Sequence, residues 1–264
     1  MYEFSYQAPT SLAAANAAIA AAEDGKLMAG GMTLIPTLKQ RLARPSDVID
    51  LSKITELKSI RREGNTLVIG AMTPHAMVAD SSVVKEAIPA LAALAGNIGD
   101  PAVRNRGTIG GSICNNDPAA DYPSALVALG ATVKTDRRSL SAEEFFTGMF
   151  ETALELDEIV TSVSFPIPEK AAYAKFPNPA SRYAVVGVFV AKTGGAAKVA
   201  VTGAGASVFR AIEMETALAK SFSATALDGI KTPEDGLNSD IHASAAYRAH
   251  LITVMAKRAV AACG

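Results

Sequence analysis

The sequence predicts an α+β fold: two α/β units followed by a unit built on an antiparallel sheet with helices. Three observations predict it. Strand, helix and strand follow one another within residues 26–51, as in a small parallel βαβ unit. Strand-like and helical stretches alternate from residue 54 to residue 165. Three β-rich runs then precede two helical stretches. A chain of 264 residues has room for two or three such units. Pro166 and Pro168 mark the main boundary, which gives units of 1–53, 54–168 and 169–264.

Taken in order, Thr10 caps a helix that runs through the alanines to Asp24, and Gly25 ends it in the usual C-terminal position. Residues 26–29 form a short strand, Gly30 and Gly31 turn the chain, and Thr33 opens a helix carrying Leu34, Ile35, Leu38 and Leu42. Residues 47–51 return as a strand, so the glycine turn lies at the open end of the unit. In the second unit, residues 66–71, 131–135 and 159–165 read as strands, and residues 83–95, 122–129 and 142–149 as helices. The third unit has β-rich runs at 172–176, 184–191 and 198–202, with Gly194-Gly195 as a hairpin turn between the last two. Helices follow at 212–218 and 242–262, separated by a loop-like stretch at 220–240. There is no internal repeat.

Composition excludes several classes of function. The formal net charge is −1, from 25 basic and 26 acidic residues, so nothing draws the whole protein to nucleic acid or an acidic membrane. Cys114 and Cys263 are the two cysteines, too few for a disulfide framework, an iron–sulfur cluster or a cysteine zinc site. With three scattered histidines, His75, His242 and His250, no metal site is expected. The early Glu3 and the absence of a basic stretch argue against a secretory signal. The most apolar segment, 12–22, falls short of the roughly 20 strongly apolar residues a bilayer span needs. A soluble, cytoplasmic protein without a transmembrane segment is expected.

Two glycine-rich stretches carry the functional signal, KLMAGGMTLIPTLKQR at 26–41 and RGTIGGSICNNDPAAD at 106–121. Each reads as an apolar strand entering a Gly-Gly turn, with few side chains able to do acid–base or nucleophilic work, so no catalytic residue is assigned. Paired glycines bring main-chain N–H groups close to a phosphate, and the following helix adds a favourable dipole. The same AGGMT stretch also suits an ordinary strand-to-helix turn, and it is neither GxGxxG nor GxxxxGK[ST]. In the second stretch Thr108, Gly110, Gly111 and Ser112 repeat the pattern of small residues and open amides, while Asn115, Asn116, Asp117 and Asp121 suit hydroxyls. Asp121 is equally placed to cap the next helix. Arg104 and Arg106 either grip phosphate or belong to a solvated turn.

The two loops, about 80 residues apart, carry a resemblance to a known family. The chain resembles the FAD-binding medium subunit of the molybdenum hydroxylases, of the aerobic carbon monoxide dehydrogenase and xanthine dehydrogenase type, over nearly its whole length. The segments concerned are LMAGGMTLIPTLKQRLARPSDVIDL, LVIGAMTPH, IGDPAVRNRGTIGGSICNNDPAADYPSALVALGA, FFTGMFETALELDEIVTSVSFP, AYAKFPNPASRYAVVGV and HASAAYRAHL. The resemblance implies a PCMH-type FAD-binding domain of two α/β subdomains, followed by a carbon monoxide dehydrogenase flavoprotein-like C-terminal domain.

It further implies that Lys26, Leu27, Met28, Ala29, Gly30, Gly31, Met32, Thr33, Leu34 and Ile35 wrap the FAD pyrophosphate. Ile98, Gly99, Val103, Gly107, Thr108, Ile109, Gly110, Gly111 and Ser112 would line the adenine and phosphate path, with Asn115, Ala120 and Asp121 nearby. Ile159 and Val160 would pack against the cofactor, and Lys175 and Tyr183 would approach the isoalloxazine from the third unit. Without the family, Tyr183 reads as a half-buried aromatic at a strand end. Met32 and Ser112 depart from the family, where a polar or histidine residue and an asparagine are common.

In function the resemblance implies electron transfer rather than bond-making on a substrate. FAD would pass electrons from two [2Fe-2S] clusters on a small partner subunit to quinone, NAD or oxygen, after a molybdenum-cofactor subunit has oxidised the substrate. The assembly would be a dimer of heterotrimers. Two other readings stand beside it: a binding module without flavin, whose glycine loops are plain turns, and a self-contained FAD-dependent oxidase. The second needs a base or a covalent tether, and neither loop has a well-placed histidine; Cys114 is the only candidate.

Overall fold

A computed structural model describes residues 1–263. The first unit is a three-stranded parallel sheet of β1 (Ser5–Gln7), β2 (Gly25–Met28) and β3 (Asp47–Asp50), in the order β1-β3-β2. β2 and β3 are the expected parallel pair; β1, three exposed residues, carries no apolar signal to read. Helix α1 (Leu12–Ala21) is capped by Ser11, not Thr10: the Ser11 hydroxyl accepts from the Ala14 N–H at 3.2 Å. α1 ends before the expected Asp24, and Gly25 opens β2 instead of closing the helix. A Cβ on Gly25 would lie 2.6 Å from Ile19 Cδ1 and 2.8 Å from Ala22 Cβ, so glycine lets the strand run hard against α1. Helix α2 (Leu34–Lys39) is shorter than expected. Arg41 takes φ 60°, which leaves Leu42 outside the helix and exposed.

The second unit opens with the hairpin β4 (Ile60–Glu63) and β5 (Thr66–Gly70), then runs through α3 (His75–Asp80), α4 (Ser82–Ala87) and α5 (Pro89–Gly96). The single helix expected over 83–95 is broken because Pro89 lacks an N–H and drives Ile88 out of helical conformation, to φ −142° and ψ 77°. α6 (Pro101–Arg106), α7 (Ile109–Asn115) and α8 (Tyr122–Leu129) follow. The second glycine stretch is therefore not a strand entering a turn: α6 precedes it, and Gly110 and Gly111 form the first turn of α7. β6 (Thr132–Thr135) and β7 (Ser139–Ser141) come next. α9 (Ala142–Phe145) is a single turn held by a Ser141–Glu144 capping box, shorter than expected. The chain then leaves it for the paired strands β8 (Phe146–Gly148) and β9 (Glu151–Thr152). β10 (Val160–Pro166) completes an antiparallel sheet of order β4-β5-β10-β6-β7.

The last part is the antiparallel sheet β11 (Lys170–Pro177), β12 (Ala184–Thr193), β13 (Ala196–Thr202) and β14 (Phe209–Arg210), with Gly194 (φ 58°) and Gly195 (φ 80°) turning β12 into β13. α10 (Ile212–Lys220) and α11 (Ala245–Ala262) cover it. α11 starts after Ser244, whose hydroxyl accepts from Tyr247 N–H at 3.2 Å, and not at His242. β12 is buried on both faces. Val186, Val188 and Val190 join the apolar cluster of α10 and α11, whereas Phe189 and Ala191 join the cluster that includes α5 and α8. The alternating side chains of one strand thus weld the second and third parts together. No helix among the described residues is long and apolar enough to cross a membrane.

Candidate cofactor site

The two glycine stretches meet in space. A Cβ on Gly30 would lie 2.0 Å from the Arg106 carbonyl oxygen, and one on Gly111 would lie 3.2 Å from Ala29 Cβ. Beside this contact runs a cleft of about 790 Å3, walled by β2 and its turn, by α7, by residues 98–103 and 154–160, and by the 180–183 turn. That volume falls within the range of small-molecule and cofactor sites.

The amides of the two stretches differ. Those of Gly30, Gly31, Met32 and Thr33 donate to no protein acceptor among the described residues. Gly31 holds φ 74°, a conformation glycine adopts at little cost, and this turns successive N–H groups along the cleft wall. In the second stretch the amides are used: Ile109 N–H donates to Thr73 O at 3.1 Å, Gly110 to Ala71 O at 2.8 Å and Ser112 to Thr108 O at 3.0 Å. Gly111 donates to Thr108 Oγ1 at 3.0 Å. The open amides expected there are committed to protein. Gly110 serves packing as well, since a Cβ would sit 2.7 Å from Ala71 O.

Eight carboxylates line the cleft, including Asp24, Asp100, Asp117 and Asp157, against the cations Lys26 and Arg182. Lys26 is paired with Asp24 at 3.3 Å. An anionic ligand must therefore be met by backbone amides more than by charge. Arg104 neither lines the cleft nor sits in a loose turn: its guanidinium donates at 3.1 Å to both Ile98 O and Gly99 O, fixing the Gly99 turn (φ 51°). Glu158 is buried against Arg138 (Oε2–Nη2 2.7 Å), and that hydrogen-bonded guanidinium holds its carboxyl down at about 2.

Most of the residues singled out from sequence line this cleft: Lys26 to Leu34, Ile98, Gly99, Val103, Gly107, Thr108, Gly110 to Ser112, Asn115, Ala120, Asp121, Ile159, Val160 and Tyr183. Ile35, Ile109 and Lys175 do not. Ile35 packs under Gly31, and Ile109 is fully buried. The Lys175 ammonium donates to Asn97 O at 3.0 Å and to Asp121 Oδ2 at 3.1 Å, behind the wall. Asp121 makes no side-chain cap on α8, the alternative open from sequence. Its carboxylate accepts from Lys175 and from the Tyr173 hydroxyl, tying β11 to the cleft. Burial pushes this carboxyl above the usual range, with Lys175 and Tyr173 opposing the rise.

Sequence reasoning missed His75. It sits at the N-terminus of α3, lines the cleft, and its Nε2 occupies the space a Cβ on Gly107 would need, at 2.7 Å. A histidine therefore does lie against the second stretch, contrary to the expectation from chain distance. Burial, with Arg104 beside it, lowers its pKa to about 4, so the ring is neutral, and Nδ1 is buried without a partner. Cys114 also lines the cleft, but burial lifts its thiol to about 12, which leaves no thiolate for a covalent tether. Residues 154–157 form an opposing rim, with Leu156 exposed; they lie in a segment that carried the family resemblance but were not singled out as site residues.

Comparison with known proteins gives the family of the chain. Residues 2–168 match the family described as the FAD binding domain in molybdopterin dehydrogenase. The chain is 33% identical over 273 residues to the nicotine 6-hydroxylase medium subunit of Paenarthrobacter nicotinovorans, covering 98% of this chain and 96% of that protein. It is 39% identical over 195 residues to the carbon monoxide dehydrogenase medium chain of Hydrogenophaga pseudoflava, covering 71% and 68% respectively. It superposes on a chain of quinoline 2-oxidoreductase from Pseudomonas putida 86 with a TM-score of 0.89 at 32% identity, over 99% of this chain and 96% of that one. With its fold, its cleft and these relatives in agreement, the chain belongs to the FAD-binding subunit family of the molybdenum hydroxylases, as an oxidoreductase subunit whose cofactor is FAD.

Proposed function

We propose that this chain is the relay of a heteromeric molybdenum hydroxylase, taking electrons from [2Fe-2S] clusters on a small partner subunit and handing them to an external acceptor such as quinone, NAD or oxygen. The carrying observation is the row of amides from Gly30 to Thr33, without a protein acceptor among the described residues, on the wall of a carboxylate-rich cleft. Such a row suits the oxygens of a phosphate or diphosphate. Bound FAD supplies the redox chemistry, while the protein holds and orients it. The residues from Lys26 to Leu34 hold the diphosphate, those from Thr108 to Asn115 flank it, Ile159 and Val160 pack on it, and Tyr183 stands at the end nearest β12. Lys175 and Ile109 act through Asp121 and through packing.

The chain cannot supply the clusters. Its cysteines lie in separate apolar clusters, Cys114 with the second unit and Cys263 at the C-terminal end of α11. Partners are thus a large molybdenum-cofactor subunit and a small iron–sulfur subunit, arranged as a dimer of heterotrimers in the cytoplasm. The units 1–53, 54–168 and 169–264 are the parts that clasp the cofactor. The whole chain, purified, should show the absorption bands of bound flavin or acquire them on adding FAD. A colourless preparation that takes up none ends this reading, and affinity capture from the source cells should bring down one larger and one smaller partner.

A further inference from the structure

His75 lines the cofactor cleft, and its side chain is held there on every side. His75 N–H donates to Gly107 O at 2.9 Å, Ile109 N–H donates to Thr73 O at 3.1 Å, and Pro74 pairs with Thr108 in an antiparallel bridge. The start of α3 is thus fastened to the second glycine stretch. The imidazole packs against the fully buried Tyr122, with 5.4 Å between ring centroids, and its Nε2 lies 2.7 Å from the place a Cβ on Gly107 would take. With His75 only 4% exposed, the ring has little room to turn.

The two ring nitrogens are not equivalent. Nδ1 is sealed in protein without a partner, whereas Nε2, which also has no protein partner among the described residues, is the nitrogen left open on a ring that lines the cleft. Burial and the neighbouring Arg104 lower the pKa to about 4, so the ring is neutral near pH 7 and carries a single ring proton. That proton belongs on Nε2. A sealed N–H with no acceptor forfeits its hydrogen bond outright, while an unmet lone pair at Nδ1 is the lesser loss. Two observations say what this N–H meets. Gly107 touches the first glycine stretch as well as the ring, since a Cβ on Gly30 would lie 2.8 Å from Gly107 Cα; the imidazole therefore stands one residue from the start of the amide row. Arg104, near enough to be felt by the ring, favours negative charge at the same place.

We infer that the Nε2–H of His75 donates a hydrogen bond to an oxygen of the FAD diphosphate, adding a neutral side-chain donor to the amides of Gly30 to Thr33. This deepens the reading given above and rests on it, because that reading places the diphosphate on the amide row. A hydrogen bond from a neutral donor to a charged oxygen is stronger than one between neutral groups, and it needs no cation in a cleft where Lys26 is already paired with Asp24.

Two measurements on the whole chain test it. With 15N in the histidines, the ring shifts of the flavin-free wild-type chain report the tautomer: the proton should sit on Nε2, and adding FAD should move the Nε2–H resonance. FAD affinity is then read from flavin fluorescence, together with the 31P resonances of the bound diphosphate. His75→Phe keeps a flat ring without a donor and should weaken FAD by about tenfold or more, with a shift of a diphosphate resonance. His75→Gln returns an N–H and should restore affinity to within about threefold of wild type. A proton on Nδ1, an Nε2–H resonance unmoved by FAD, unchanged affinity in His75→Phe, or equal losses in the Phe and Gln variants overturns the inference; the two wild-type readings decide it even if His75→Phe does not fold. A wild-type chain that takes up no FAD ends the reading above and this one with it, whereas FAD uptake indifferent to His75 ends this one alone.

Discussion

The turn at residues 29–33 and the turn at 108–112 share a composition of small residues around paired glycines, yet the structure uses them in opposite ways. The first leaves four consecutive amides without protein partners among the described residues, whereas the second gives its amides to Thr73, Ala71 and Thr108. The first leaves donors free for a ligand, as proposed above, and the second is a keystone of the fold. Glycine serves both, for different reasons: Gly31 needs φ 74°, while Gly30 and Gly110 need the absence of a Cβ so that backbones can touch. A Gly-Gly pair by itself therefore does not tell a nest from a packing contact.

The largest effect expected from breaking this arrangement is at Gly30. In Gly30→Ala the new methyl would meet the Arg106 carbonyl at 2.0 Å, a backbone atom that cannot rotate away. The two turns must separate, at a cost of about 3 kcal/mol or more. Denaturant unfolding measures it, and a loss below about 1 kcal/mol would show that the turns do not touch.

Next comes His75, the brace of the second turn. Its folded pKa of about 4 lies below the ordinary 6.5, so the unfolded chain binds more protons between those values. The neutral ring's contribution is fully present above about 6.5 and is lost as pH falls towards 4. It amounts to up to about 3 kcal/mol, at about 1.4 kcal/mol per pKa unit. His75→Gln should flatten the stability profile across that window, and an unchanged slope would place the titration elsewhere.

Thr108 gives the smallest and sharpest test. Thr108→Ala removes the hydroxyl that accepts from Gly111 N–H, for about 1 kcal/mol of stability. Bound flavin per chain should stay at the wild-type level, because this amide serves the protein. If flavin content falls while stability changes little, the Gly111 amide is a ligand donor, and the contrast between the turns disappears.

Much was legible along the chain because it depends on near neighbours. The β2–β3 parallel pair, α8, three of the four strands of the last sheet and the Gly194-Gly195 hairpin follow from periodicity and turn chemistry within a few residues. Errors cluster where a local signal was overruled. Pro89 split one apolar stretch into two helices, α9 gave way to a strand after one turn, and the second glycine stretch became helical.

By itself, the sequence determined the class of fold, the family and the cofactor, because these are carried by short motifs and by the alternation of apolar residues. Only the tertiary structure decided which amides remain free, that His75 lies against Gly107, and that Asp121 ties Lys175 and Tyr173 instead of capping α8. Each depends on groups from distant segments meeting within a few ångströms. A hydrogen bond forms or fails at that range, and separation along the chain says nothing about it.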